Sequence, residues 1–143
     1  MQEQVTVDIG DATNLHPTNK QEVGRRLARA ARQVVYGETL DASGPVAMSA
    51  RREADSIVVR FKDPGKGLVA YGAEGPVGFE LCGAAAGSCR YASARIRGDH
   101  VVLDAPSPGQ AARVRYGWAD NPVITLFDSE GLPAGPFELA IDP

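Results

Sequence analysis

His16 is the residue whose type and setting best suit proton transfer. It lies in Asp8-Ile-Gly-Asp-Ala-Thr-Asn-Leu-His-Pro-Thr-Asn-Lys-Gln-Glu-Val-Gly24, on a turn between a stretch with strand character and one with helix character. A neutral imidazole held there can take the proton of a hydroxyl and return it to a departing alcohol, and a carboxylate usually fixes its tautomer. Asp11, five residues upstream on the same turn, is the nearest orienting acid, and Asp8 lies further back at the strand end. Either carboxylate can instead cap the turn, and a backbone carbonyl can do the orienting. A lone loop histidine also has a plainer role, bonding the start of the helix.

The flanking elements would hold such a histidine from both sides. Val5 to Ile9 is rich in β-branched residues and reads as a short strand, and Gly10 to Pro17 is dense in turn formers. Thr18 with Gln21 three residues later makes a capping-box pattern, so a helix is expected from Thr18 to Tyr36, ended by Gly37. Val23, Leu27, Ala30 or Ala31, and Val34 form one apolar stripe along it, with Arg25, Arg26, Arg29, Arg32 and Gln33 opposite. The arginines fit a solvated face, or a surface that packs on a further domain.

Other groups offer less chemistry. Ser43, Ser49, Ser56, Ser88, Ser93, Ser107 and Ser129 all lie in turn or strand contexts, and no G-x-S-x-G elbow occurs. Cys82 and Cys89 flank Gly83-Ala-Ala-Ala-Gly-Ser88, which reads as a hairpin loop between Val77–Leu81 and Arg90–Ile96. The pair is either a disulfide across the hairpin end or two free thiols. A metal site is not expected, because the spacing is not C-x-x-C and His100 is the only nearby imidazole. Trp118, beside Tyr116 and Arg115, can stack on a sugar ring or anchor a core.

Composition bounds the rest. With 143 residues the chain can bury a sizeable core, and 43% hydrophobic with 23% charged residues is ordinary for a globular protein. A net charge of −3 leaves no electrostatic footprint for nucleic acid. No apolar run of about 18 residues exists to span a membrane. Beyond Gly37 the periodicity alternates, in Ser56–Phe61, Leu68–Tyr71, Gly78–Leu81, Tyr91–Ile96, His100–Leu103 and Ala112–Tyr116. Asp63-Pro-Gly, Gly72-Ala-Glu-Gly-Pro, Arg97-Gly-Asp and Ser107-Pro-Gly turns separate them, so a mainly β fold with a β-sandwich domain is expected. The boundary between helix and sheet falls between Tyr36 and Pro45.

The His16 block resembles the last sequence block of the SGNH (GDSL-type) hydrolases, and of the sialate O-acetylesterases in particular. Val114-Arg-Tyr-Gly-Trp-Ala-Asp-Asn-Pro122 followed by Gly131-Leu-Pro-Ala-Gly-Pro-Phe137 resembles the terminal signature of the same family, in the right order. The resemblance spans nearly the whole chain but only the C-terminal portion of such an esterase. It implies residues 1–40 as the closing strand, histidine loop and helix of an α/β SGNH domain, and 41–143 as a β-sandwich domain. It further implies hydrolysis of acetyl esters on sugars by a Ser-His-Asp mechanism without metal or organic cofactor. His16 would be the catalytic base and Asp11 its acid, with the serine and oxyanion donors on an upstream domain of the same polypeptide. Thr13 stands where many members carry an aspartate, three residues before the histidine. The family's frequent export favours the Cys82–Cys89 bridge and a periplasmic or secreted location. The alternative is a non-catalytic β-sandwich module that binds carbohydrate or assists assembly.

Overall fold

A computed structural model describes residues 5–62 and 67–143. Among these residues one α-helix, α1, runs Lys20–Val34, and the alternating segments beyond Gly37 form strands. These are β1 (Val46–Glu53), β2 (Ser56–Lys62), β3 (Leu68–Ala70), β4 (Phe79–Cys82) and β5 (Arg90–Tyr91), followed by β6 (Ala94–Arg97), β7 (His100–Asp104), β8 (Arg113–Tyr116), β9 (Leu126–Asp128) and β10 (Phe137–Asp142). Of these, β1, β9 and β10 are not among the strands expected from the sequence. The Asp63-Pro-Gly turn lies outside the described residues.

Eight strands share one sheet in the order β5-β4-β8-β10-β1-β2-β7-β6, and β3 with β9 makes a two-stranded ribbon. β5 and β6 stand at opposite ends of that order, yet only Ala92 and Ser93 separate them in sequence. The Ala92 N–H donates to the Phe79 carbonyl at 3.1 Å, and the Ser93 carbonyl accepts from the Asp104 N–H at 2.9 Å. Residues 90–97 therefore serve both edges, and the sheet must curl until its ends meet, which removes edge strands that would otherwise stay unpaired. The expected mainly β architecture is present, and its layers arise from one curled sheet.

Alternation decides what lies inside the curl. Ile57 pairs with Leu103 and Val59 with Val101, and all four are fully buried. Across the sheet Phe79 and Tyr116 are also fully buried, with ring centroids 4.7 Å apart, and Phe137 stacks on Tyr116 at 5.5 Å. The Tyr116 hydroxyl accepts from the Leu126 N–H at 3.0 Å, so its polar end is satisfied. Burial pushes the Tyr116 phenol up to about 12.

The helix differs from expectation in its cap and its orientation. Asn19, not Thr18, is the N-cap, its side chain accepting from the Glu22 N–H at 3.2 Å. Gly37 does take the left-handed conformation after the helix, at φ 67°. Leu27 and Val34 of the apolar stripe face outward, 56% and 68% exposed, while Val23, Ala30 and Ala31 are half-buried and Arg26 is 4% exposed. Val5 to Ile9 is not a strand, since the Ile9 N–H turns back to the Thr6 carbonyl at 3.1 Å. A strand needs a hydrogen-bonding neighbour, and the described residues supply none beside this segment.

Cys82 and Cys89 are bonded as a disulfide across the β4–β5 hairpin. Closing a loop of this size should contribute about 2–3 kcal/mol by constraining the unfolded chain. Urea titrations of the oxidised protein and of Cys82→Ser/Cys89→Ser should differ by that amount. Coincident midpoints would remove the bridge from the stability of the hairpin.

Candidate functional site

Three side-chain turns shape the His16 loop. The Asp11 Oδ1 atom accepts from both the N–H and the hydroxyl of Thr13, each at 2.8 Å. Asn14 Oδ1 accepts from the His16 N–H at 2.9 Å, and Asn19 then caps the helix. Local side-chain bonds of this kind replace the backbone pairing that a loop lacks. The Thr13 donors hold the Asp11 carboxyl below the usual carboxylate range. A depressed value means that these bonds are fully present above the ordinary range and are lost as pH falls through the lowered value.

The loop is tied at its base by Arg26. Its guanidinium donates to both Asp8 oxygens, at 2.6 and 2.8 Å, to the Val5 carbonyl at 2.7 Å and to Glu22 at 3.0 Å. The Arg26 and Asp8 side chains are 4% and 10% exposed, so this bidentate pair is desolvated. Asp8 and its fork hold the Arg26 charge firmly, raising the already high guanidinium pKa further. Arg29 reaches the Asp41 carbonyl at 3.0 Å and pairs with Glu130, which joins the same helix face to the β region. Arg25 and Arg32 pair with Glu22 and Glu38 near the surface.

His16 and Leu15 stand exposed at the tip of this loop. The imidazole makes no hydrogen bond among the described residues, so neither Asp11 nor Asp8 meets it directly here. Asp8 has both oxygens on Arg26, and Asp11 shares the histidine's loop with one oxygen on Thr13. Thr13 thus fixes the carboxylate upstream of it. Sequence reasoning missed Arg26, because a mid-helix arginine four residues after Glu22 resembles its solvated neighbours. Its one legible signal is that spacing.

The second cluster also resolves. Tyr116 is the core aromatic, and Trp118 is 50% exposed with the Arg115 guanidinium 4.8 Å from its ring centroid. His100 bonds Asp99 through Nδ1 at 2.9 Å on the β6–β7 turn. Among the described residues no three His, Cys, Asp or Glu side chains are grouped to hold a metal ion. Among them, too, no helix is long and apolar enough to cross a membrane.

No family model matches the chain, and no curated protein does. Among solved structures it is similar to a novel carbohydrate acetylesterase from Xanthomonas citri, at 40% identity and a TM-score of 0.86. A carbohydrate acetylesterase is thus a structural relative of the chain. That likeness covers 94% of this chain and 31% of the other, so the chain spans under a third of the relative's length. The share of the chain left outside the likeness is too small to omit the curled sheet.

Proposed function

We propose that this chain is the C-terminal part of a carbohydrate O-acetylesterase of the sialate O-acetylesterase type, within the SGNH hydrolases. The observation that carries the proposal is the 40% identity over 94% of this chain to a carbohydrate acetylesterase of which it covers 31%. In this reading residues 1–40 close the hydrolase domain and 41–143 form the β domain that follows. The upstream domain supplies the serine and the oxyanion donors. His16 takes the serine proton as the hydroxyl attacks the acetyl carbon, then returns it to the sugar oxygen that leaves. Asp11, kept ionised by Thr13, is the carboxylate that orients the ring once the domains close on the substrate. Export to the periplasm or the medium accords with a Cys82–Cys89 bridge.

The outward stripe of α1 supports the same reading. Leu27 and Val34 are each worth roughly 1.5–3 kcal/mol when fully buried, and both are largely in water here. An upstream α/β domain that covered them would collect that energy and press the His16 loop against its serine.

Purified alone, the chain should release 4-nitrophenol from its acetate no faster than a His16→Ala control, because nucleophile and oxyanion hole supply most of the rate. Joined to the upstream domain, it should gain a His16-dependent deacetylation of acetylated sugars. A fast, His16-dependent burst from the isolated chain would reject this division of labour. A joined protein that cleaves no acetyl ester would leave the chain as a binding module.

A further inference from the structure

We propose that Cys89 is the exchange-active sulfur of the Cys82–Cys89 bridge, the one through which a small disulfide-bearing oxidant closes it and a thiol opens it. The two sulfurs have unlike surroundings. Cys82 is fully buried, and no side chain among the described residues donates to its Sγ. Cys89 is only half-buried, and residues 84–87 before it are exposed and small. The Arg115 guanidinium, reaching across from β8, donates to the Cys89 Sγ at 3.4 Å.

Thiolates, not thiols, attack disulfides, and a cationic donor beside a sulfur favours its thiolate. Three guanidiniums stand near Cys89. Arg115 meets the sulfur, Arg90 donates to the Cys89 carbonyl at 2.7 Å, and Arg113 reaches the Gly83 carbonyl at 3.4 Å. Against them stand Glu138 on β10, which binds Arg115, and Glu80 on β4, opposite Arg115 in the register. The cations outnumber the carboxylates, so once the bridge is open the local charge holds Cys89 as thiolate. Arg113 is opposite Cys82 in the register, but its guanidinium turns to Gly83 and Glu138. Burial without a donor disfavours a Cys82 thiolate.

Closure then has a fixed order. The Cys89 thiolate attacks one sulfur of an external disulfide, forming a mixed disulfide and releasing one external thiolate. Cys82, giving its proton to solvent, attacks the Cys89 sulfur and expels the second external thiolate. Two cysteine thiols are oxidised, and one external disulfide is reduced to two thiols. Opening retraces the same path. An external thiolate can reach the Cys89 sulfur, but the group it must expel is Cys82, a buried thiolate without a donor and so a poor leaving group. Attack on Cys82 would release the better leaving group, but that sulfur is enclosed. The bridge therefore closes readily and opens slowly, and both directions pass through a mixed disulfide on Cys89.

Brief exposure of the bridged chain to reduced glutathione, quenched with acid, traps the first adduct. Peptide mass spectrometry should find glutathione on Cys89 at least about tenfold over Cys82. In the closing direction, Cys82→Ser with oxidised glutathione should gain its adduct at least about tenfold faster than Cys89→Ser does. The same two variants in urea, where neither burial nor Arg115 acts, should react alike. Adding Arg115→Gln to Cys82→Ser should slow its reaction severalfold at about pH 7 and leave it unchanged above the thiol range, where every thiolate has formed. A mere change of packing would move both rates. Adducts from the bridged chain that fall equally on the two cysteines, or mainly on Cys82, would overturn the proposal. So would an Arg115→Gln rate equal to the parent's at about pH 7.

Discussion

Replacing His16 by alanine in the joined protein should lower kcat for acetate release from an acetylated sugar by about 10²–10⁴-fold, with KM little changed. The split follows from geometry. His16 stands exposed at a loop tip held by Asp11, Asn14 and Asn19 side chains, so in the proposed mechanism its truncation removes a proton carrier without disturbing packing. A base acts on the proton in flight and contributes to the transition state, not to the resting complex. Asp11→Asn separates two roles. If Asp11 orients the imidazole, kcat should fall severalfold or more while the Thr13 turn survives, because the amide oxygen still accepts from Thr13. A His16→Ala rate within tenfold of the parent would remove His16 from the chemistry.

Much of the frame that carries this histidine is legible in the sequence, because the signals are local. Turn formers from Gly10 to Pro17, a helix after them, expected over Thr18–Tyr36 and found over Lys20–Val34, and Gly37 at φ 67° follow from rules that act within a few residues. Alternating Ile57, Val59 and Phe61, or Val101 and Leu103, mark strands whose one face is buried. β1 escapes that rule, because Ala47, Ser49 and Ala50 are the residues it turns inward, while Val46 and Met48 are exposed, and a register shift breaks its alternation. β9 is only three residues long, too short to show a period. β10 alternates Phe137, Leu139 and Ile141, but the glycine and proline cluster before it hides its start.

The face that a helix buries is less legible, since it depends on what lies beside it. An apolar stripe of Val23, Leu27 and Val34 points to a core, yet the helix meets its neighbours through arginines, Arg26 binding Asp8 of the preceding segment and Arg29 binding the Asp41 carbonyl and Glu130 of the β region. A hydrophobic pattern reports which surface gains most from leaving water, not which neighbour arrives. Val5 to Ile9 fails for a related reason, as β-branched residues favour a strand only where another strand can pair with it.

Arg26→Ala should release the segment that carries His16 while leaving the sheet folded. Arg26 is 4% exposed and donates to Asp8 at 2.6 and 2.8 Å, so its removal leaves the Asp8 carboxylate, 10% exposed, without its partner. Breaking one side of a buried pair costs about 3–5 kcal/mol, a penalty that a rigid core would have to absorb in full. Here the chain has a cheaper escape, because α1 meets the β region through Arg29, and Leu27 and Val34 on its apolar side already face water. The penalty should therefore appear as local opening. Hydrogen exchange for residues 20–34 should speed up by roughly 10²–10³-fold, with β2, β7 and β8 unchanged. Arg26→Lys should rescue little, since an ammonium cannot fork across both Asp8 oxygens. Arg25→Ala, whose side chain is 73% exposed, should change exchange hardly at all. Equal protection in the Arg26→Ala protein, or loss of the sheet together with the helix, would deny the clamp. If both the clamp and the proposed esterase mechanism hold, the joined protein should lose acetylesterase activity in the same variant with His16 and Asp11 intact, because the His16 loop keeps its turns but not its anchored base.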